Sequence, residues 1–145
     1  MPTWKQLQKH HMMAAAPAFP KPRLADTEKR YALLTQRLEK QHLTLRDYIL
    51  DQYPALTQDK IKSLPLVPNP FPYHISSATG TKISHWVYWI HPRDKRHAKT
   101  LLNEALTLAR KKGKPGDEIT VFQNRKKDRS IPQIRHIHVL IKHQR

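Results

Sequence analysis

The sequence predicts an α+β fold, in which helices come first and then pack a small mixed β-sheet of about three to four strands. Three observations predict it. Residues 94–112 place Ala98, Leu101, Leu102, Ala105, Leu108 and Ala109 on one helical stripe. Residues 82–90 (KISHWVYWI) are β-branched or aromatic on both faces, as in a strand covered on both sides. Residues 134–142 (IRHIHVLIK) alternate with a period of two.

In chain order, Trp4 to Met13 reads as a short helix, and residues 14–25 (AAAPAFPKPRLA) as an extended, proline-punctuated arm that drapes over the domain or binds a partner. Residues 1–25 thus form an N-terminal segment ahead of one domain spanning 26–145. Asp26 is placed to cap a helix over 27–40, whose stripe is Tyr31, Leu34 and Leu38. Thr44 and Asp47 have capping-box spacing before a helix over 45–53, and Pro54 ends it. Residues 63–73 (SLPLVPNPFPY) hold four prolines and predict an ordered, extended connector, followed by a loop over 76–81. Asp94 is expected to cap the long helix, and Gly113 to follow its last turn. Strands are expected over 118–123 and 134–142, with a basic loop over 124–133 between them. The helix between the strands at 82–90 and 118–123 permits parallel pairing there, and the last two strands suit an antiparallel pair.

Charge narrows the function classes. The 145 residues carry 27 Lys plus Arg against 11 Asp plus Glu, a net charge of +16. Such an excess repels itself unless something negative lies nearby, which points to nucleic acid or an acidic protein assembly as partner. Arg110, Lys111, Lys112 and Lys114 form one cluster, and Arg125, Lys126, Lys127 and Arg129 a second. Each can hold phosphates as point charges, giving affinity without sequence specificity. Trp86, Tyr88 and Trp89 would stack bases if exposed, although their strand spacing fits a core. With no cysteine, disulfides, thiolate metal sites and cysteine nucleophiles are excluded. No apolar run is long enough to span a membrane as a helix. The expected location is intracellular, in cytoplasm or nucleus or packaged in a virion, and the basic, acid-free start before Asp26 leaves a mitochondrial presequence open.

The candidate chemistry lies in histidine, of which there are ten. Alternation puts His136 and His138 on one face of the last strand, and His85 with Trp89 on one face of the strand at 82–90. If these strands are neighbours, His85, His136 and His138 converge. Two imidazoles at i and i+2, about 7 Å apart along a strand, suit a base and an electrophile flanking one substrate. A structural role within the sheet is the alternative. A metal site would need a third ligand from elsewhere, and the nearby Lys and Arg disfavour a dication, so no cofactor is implied. The run also resembles the histidine-triad nucleotide hydrolases but departs from them, since the same-face neighbours are Ile134 and Leu140.

Taken in order, PTWKQL, LRDYIL at 45–50, PNPFPYHI at 68–75, SHWVYWI at 84–90 and SIPQIRHIHVLIK at 130–142 resemble the N-acetylglucosamine-induced proteins, an uncharacterised and mainly fungal family. The resemblance implies special roles for Asn69, Phe71, Pro72, Tyr73, His85, Trp89, His136 and His138. The sequence therefore supports two expectations. One is a non-catalytic accessory protein on a polyanion in a larger assembly (virion, ribosome-like particle or chromatin). The other is an enzyme or binding protein for a phosphorylated or nucleotide-sugar ligand, with the His136–His138 pair as its chemistry, His85 assisting, and Asn69, Tyr73 and Trp89 orienting the ligand.

Overall fold

A computed structural model describes residues 1–61, 64–77, 80–129, 131 and 134–144. The start of the connector at residue 63, the middle of the loop at 78–79, and residues 130, 132 and 133 of the basic loop lie outside the described residues. The elements are α1 (Trp4–Gln8), α2 (Ala25–Lys40), α3 (Leu45–Gln52), β1 (Val67–Pro68), β2 (Ile83–Trp89), α4 (Ala98–Lys112), β3 (Glu118–Phe122) and β4 (His136–Lys142). Short 3₁₀ turns cover Pro54–Thr57 and Lys126–Asp128.

The α+β class stands, and the sheet has four strands in the order β1-β2-β4-β3. Its pairing corrects the expected mixed sheet, because every named pair is antiparallel. The crossover through α4 does make β2 and β3 run the same way. The last strand then inserts between them and pairs antiparallel with both. Among the described residues, parallel pairing is confined to isolated bridges, Thr3 with Ser76 and Ala16 with Asn124.

One face of the sheet is an ordinary core. Tyr88, Val121, Ile137, Val139 and Ile141 meet Leu101, Leu102, Ala105 and Ala109 of α4. Each large side chain removed from water here contributes about 2 kcal/mol. The predicted start of α4 at Asp94 is corrected to Ala98. Asp94 is buried and clamps Arg96, accepting from its backbone N–H and from its guanidinium at 2.8–3.2 Å. A side chain so occupied cannot cap the helix. Gly113 does close it, donating its N–H to the Ala109 carbonyl.

The opposite face carries His85, Val87 and Trp89 of β2, His136, His138 and Leu140 of β4, and Thr120 and Phe122 of β3. The N-terminal half of the chain covers it. The first helix stops at Gln8 rather than Met13, because Met12 takes a left-handed φ of 65° and turns the chain back. Residues 12–16 then run along the outer edge of β3. Met12 donates to Val121, Gln123 donates to Met13, and Ala16 donates to Gln123. This pairing covers an edge that would otherwise expose unpaired backbone groups. The arm thus drapes over its own domain.

The other N-terminal helices follow their local signals. The second begins at Ala25, with Leu24 as N-cap and Asp26 in its first turn instead of capping it. Thr44 and Asp47 form the predicted reciprocal capping box of α3. The proline connector contains β1, which sequence alone did not reveal as a strand. It pairs with the edge of β2, a place where proline's missing donor does no harm.

Candidate functional site

The site is built from the connector inward. In residues 68–73 every second residue is proline, so only Asn69, Phe71 and Tyr73 keep a backbone N–H. All three are used. Asn69 N–H donates to the His85 carbonyl at 2.9 Å, and Phe71 N–H to Asn69 Oδ1 at 2.8 Å. Tyr73 N–H donates to His85 Nδ1 at 3.1 Å.

That last bond fixes the protons beyond it. A backbone N–H can only donate, so His85 Nδ1 holds a lone pair and neutral His85 carries its proton on Nε2. His85 Nε2–H lies 2.9 Å from His138 Nδ1 and donates to it, with the Asn69 side-chain NH₂ farther off, 3.4 Å from His85 Nε2. Neutral His138 therefore carries its own proton on Nε2, 3.3 Å from the side-chain amide of Asn124. The amide oxygen is the atom that can accept there, so we orient Asn124 with Oδ1 toward His138. The chain of donors runs from the Tyr73 backbone through His85 and His138 to the Asn124 side chain.

His136 has the opposite polarity. Its Nδ1 lies 3.2 Å from the Ile134 carbonyl, which can only accept. The proton is on Nδ1, and Nε2 keeps its lone pair. Two imidazoles two residues apart are thus held as different tautomers, one a donor and one an acceptor at Nε2. Their ring centroids are 5.3 Å apart, closer than the strand repeat, and they meet edge to face.

All three imidazoles are buried, with 4–9% of their surface exposed. Desolvation pushes His85 down to about 3, helped by the Arg23 and His136 charges. It pushes His136 down to about 4 against the bond to Ile134, with Arg129 adding to the fall. His138 is held well below its ordinary value by burial, then by His85, His136 and Arg23. At neutral pH the cluster is uncharged. Aromatic rings enclose it: Tyr73 and Phe122 stack on His138, and Trp89 lies 4.9 Å from His136.

Beside the cluster is a cavity of about 280 Å³. Its floor is Val87, Trp89, His136 and His138 of the sheet; its walls include Leu34 of α2 and Leu45 and Ile49 of α3. Phe19 and Arg23 of the arm complete it, with Asn69, Phe71 and Tyr73 of the connector. Arg23 donates Nε–H to the Phe71 carbonyl and lies over the rings of Tyr31 and Tyr73. Asp128 also lines the cavity and is ion-paired with Arg125.

The structure brings together His85, His136, His138, Asn69, Tyr73 and Trp89. His85 sits behind His138 and sets its proton without lining the cavity. Sequence reasoning missed Arg23, Phe122 and Asn124, which come from the arm, the face of β3 and the start of the basic loop. Among the described residues no group of three His, Asp or Glu is arranged to hold a metal ion.

The two basic clusters do not meet. Arg110, Lys111, Lys112 and Lys114 precede β3, and Arg125, Lys126, Lys127 and Arg129 follow it, at its opposite end. Arg110, Lys111, Lys114, Lys126 and Lys127 are exposed. Lys112 lies over Trp86 at 4.4 Å, Arg125 is paired with Asp128, and Arg129 donates to the Asn124 carbonyl. The core reading of Trp86, Tyr88 and Trp89 holds, and their exposure for base stacking does not. Tyr88 and Trp89 are buried, and Trp86 is half-buried beneath Lys112.

A family model described as "Protein of unknown function (DUF3605)" matches residues 3–142. The chain belongs to this family. No curated protein matches it. Among solved structures, the crystal structure of HTC1 is similar, with a TM-score of 0.57 and 19% identity over 86% of this chain and 77% of that one. At that identity the likeness speaks for the fold. Among the described residues no helix is long and apolar enough to cross a membrane.

Two outcomes follow from the buried cluster. Unfolded imidazoles take up protons near pH 6.5, and the folded ones resist until about 4 or 3. Stability is therefore full above pH 6.5 and falls in acid, by about 1.4 kcal/mol per pH unit for each imidazole kept neutral. Denaturant titrations from pH 7.5 to 4.5 should show a steep loss, shallower in His136→Phe. Long-range ¹H–¹⁵N spectra at pH 7 should show His85 and His138 protonated on Nε2 and His136 on Nδ1. The reverse assignment for His138 would break the donor chain.

Proposed function

We propose that the protein binds a small, flat, uncharged molecule in the cavity between the histidine face of the sheet and α2 and α3. The observation that carries this reading is the opposed pair of tautomers, preset and buried, at the floor of an aromatic-walled cavity. Buried polar groups are expensive unless they are satisfied or used, and a fixed pattern of donor and acceptor is how a site selects a ligand. Size supports a small ligand, since about 280 Å³ lies just below the span of ligand pockets, which run from roughly 300 to 1,000 Å³. A nucleotide-sugar fits such a volume less well than a single or fused ring. A phosphate would have Arg23 as its cation in the cavity lining, while both histidines at the floor are neutral. The low proton affinity of His136 favours recognition over strong general-base chemistry. A closer kinship to the N-acetylglucosamine-induced proteins, carried by the connector and by SHWVYWI and RHIHVLIK, belongs to this proposal.

The polyanion reading rests on a separate observation, the net charge of +16 with exposed lysines at both ends of β3. It concerns the outer surface and is compatible with the cavity. Partners of that kind would be nucleic acid or an acidic assembly.

Ligand-observed NMR with a panel of uncharged aromatic fragments should give binders to the native protein. Leu45→Trp, which fills the cavity from the first turn of α3, should abolish their binding while leaving the melting temperature within a few degrees. Binding that survives this filling, or no binder at all, would remove the cavity reading. For the surface, affinity for duplex and single-stranded nucleic acid should fall linearly with the logarithm of salt, and the joint change Lys126→Glu and Lys127→Glu should make the slope shallower by about two. Absence of binding at low salt removes nucleic acid as a partner.

A further inference from the structure

We infer that Ser84, His143 and Asp117 form a nucleophilic site for small carboxylic esters, on the α4 face of the sheet and apart from the histidine cavity. The strand register builds it. Ser84 shares its face of β2 with Trp86 and Tyr88, which pack toward α4. The pairing of Glu118 with Lys142 sets Asp117 opposite His143, just beyond the paired ends of β3 and β4. The pairing of Ser84 with Ile141 puts His143, two residues on and on the same face, at a diagonal to Ser84. His143 is anchored there by its backbone N–H, which donates to the Lys82 carbonyl at 2.9 Å.

The bonds run in one direction. A carboxylate only accepts, so neutral His143 carries its proton on Nδ1, 3.3 Å from Asp117 Oδ2, and its lone pair on Nε2. That lone pair lies 2.7 Å from Ser84 Oγ and accepts the hydroxyl proton. The Trp86 indole N–H, which only donates, reaches the same Oγ at 2.9 Å. Asp117 is the positioning residue. Its carboxylate accepts from the backbone N–H groups of Lys114 and Gln144, each at 2.9 Å, and these bonds hold it below its ordinary range and ionised. Its side chain is 3% exposed and that of His143 32%, so a shielded carboxylate stands behind a base that solvent and substrate can reach. A hydroxyl bonded to an imidazole that a carboxylate orients is the arrangement an activated serine needs.

In the reaction, Ser84 Oγ bonds to the ester carbonyl carbon as its proton passes to His143 Nε2. The bond from that carbon to the alcohol oxygen breaks, and His143 gives the proton to the departing alkoxide. Water then attacks acyl-Ser84, its proton returns through His143 to Ser84 Oγ, and the carboxylic acid leaves. Ester and water thus become acid and alcohol. Among the described residues the N–H that reaches Oγ is that of Trp86, with the Lys112 ammonium 4.4 Å from the centre of one of its rings. So modest a set of donors for the developing oxyanion suits an ester with a good leaving group better than an amide.

The test uses the full chain with 4-nitrophenyl acetate and, separately, a fluorophosphonate. Peptide mapping by mass spectrometry should place the fluorophosphonate on Ser84. Ser84→Ala and His143→Gln should each lower kcat/KM for the ester by about a hundredfold. Asp117→Asn should lower kcat and, in long-range ¹H–¹⁵N spectra, move the His143 proton from Nδ1 to Nε2, a change that loosening of the fold alone would not produce. The labelling needs no variant, so it decides even where a substitution fails to fold. No adduct, adducts confined to lysine or tyrosine, or a Ser84→Ala rate equal to that of the native chain overturns the assignment. None of these outcomes bears on the cavity, which lies on the other face of the sheet.

Discussion

The site depends on one bond, from the Tyr73 backbone N–H to His85 Nδ1. Three imidazoles out of water could take many proton arrangements of similar energy. A backbone donor at the start of the chain leaves one low-energy arrangement for His85 and His138. The proline alternation in residues 68–73 is what delivers it. It fixes φ at every second position and deletes the competing donors, so the connector cannot satisfy itself as a helix or a continuous ladder. Its remaining N–H groups turn to β2 and to the Asn69 side chain. Local stiffness is thereby converted into a chemical identity several ångströms away.

The unusual charge of the chain and the neutrality of its buried cluster reinforce each other. Arg23 opposes protonation of His85 and His138, and Arg129 opposes that of His136. Neither needs to touch an imidazole, because a cation at the edge of a poorly solvated region acts over distance. Arg23 is itself held by the Phe71 carbonyl, by two aromatic faces and by Glu28 at 3.5 Å. The arm, read from sequence as draping over the domain or binding a partner, thus supplies part of the electrostatics of the site.

Much of the fold was legible because its signals are local. The stripe of α4, the Thr44–Asp47 box and the bulky strands each announce themselves within about fifteen residues. The face shared by His136 and His138 follows from alternation alone. Pairing order was not legible, since nothing in β2 or β3 says that a strand synthesised later will insert between them. Asp94 misled for a physical reason, because a capping residue and a guanidinium clamp look the same until the partner, Arg96, is placed. Asn124 and Arg23 were hidden by their surroundings. One opens a loop that reads as a charge cluster, and the other sits in a segment without periodicity. The split of tautomers required coordinates, because it depends on which atom of which neighbour faces each ring nitrogen.

The contrast between the two faces of the sheet is the final argument that the histidine face is more than scaffold. Both faces are covered, and both come from the same strands. Beneath α4 the core positions are aliphatic apart from Trp86 and Tyr88, which is the inexpensive solution. On the other face, His85, His136, His138 and Asn124 occupy positions equally remote from water. Each brings polar atoms that must be paired, and a half-paired network is worse than an apolar one. Aliphatic residues there would close the cavity and add stability, as they do on the reverse side. A chain that folds well with its apolar face, yet retains a fully directed polar chain on the other, is meeting a requirement that folding does not impose. Local departures of this kind from the cheapest packing mark the places where a protein meets something other than itself.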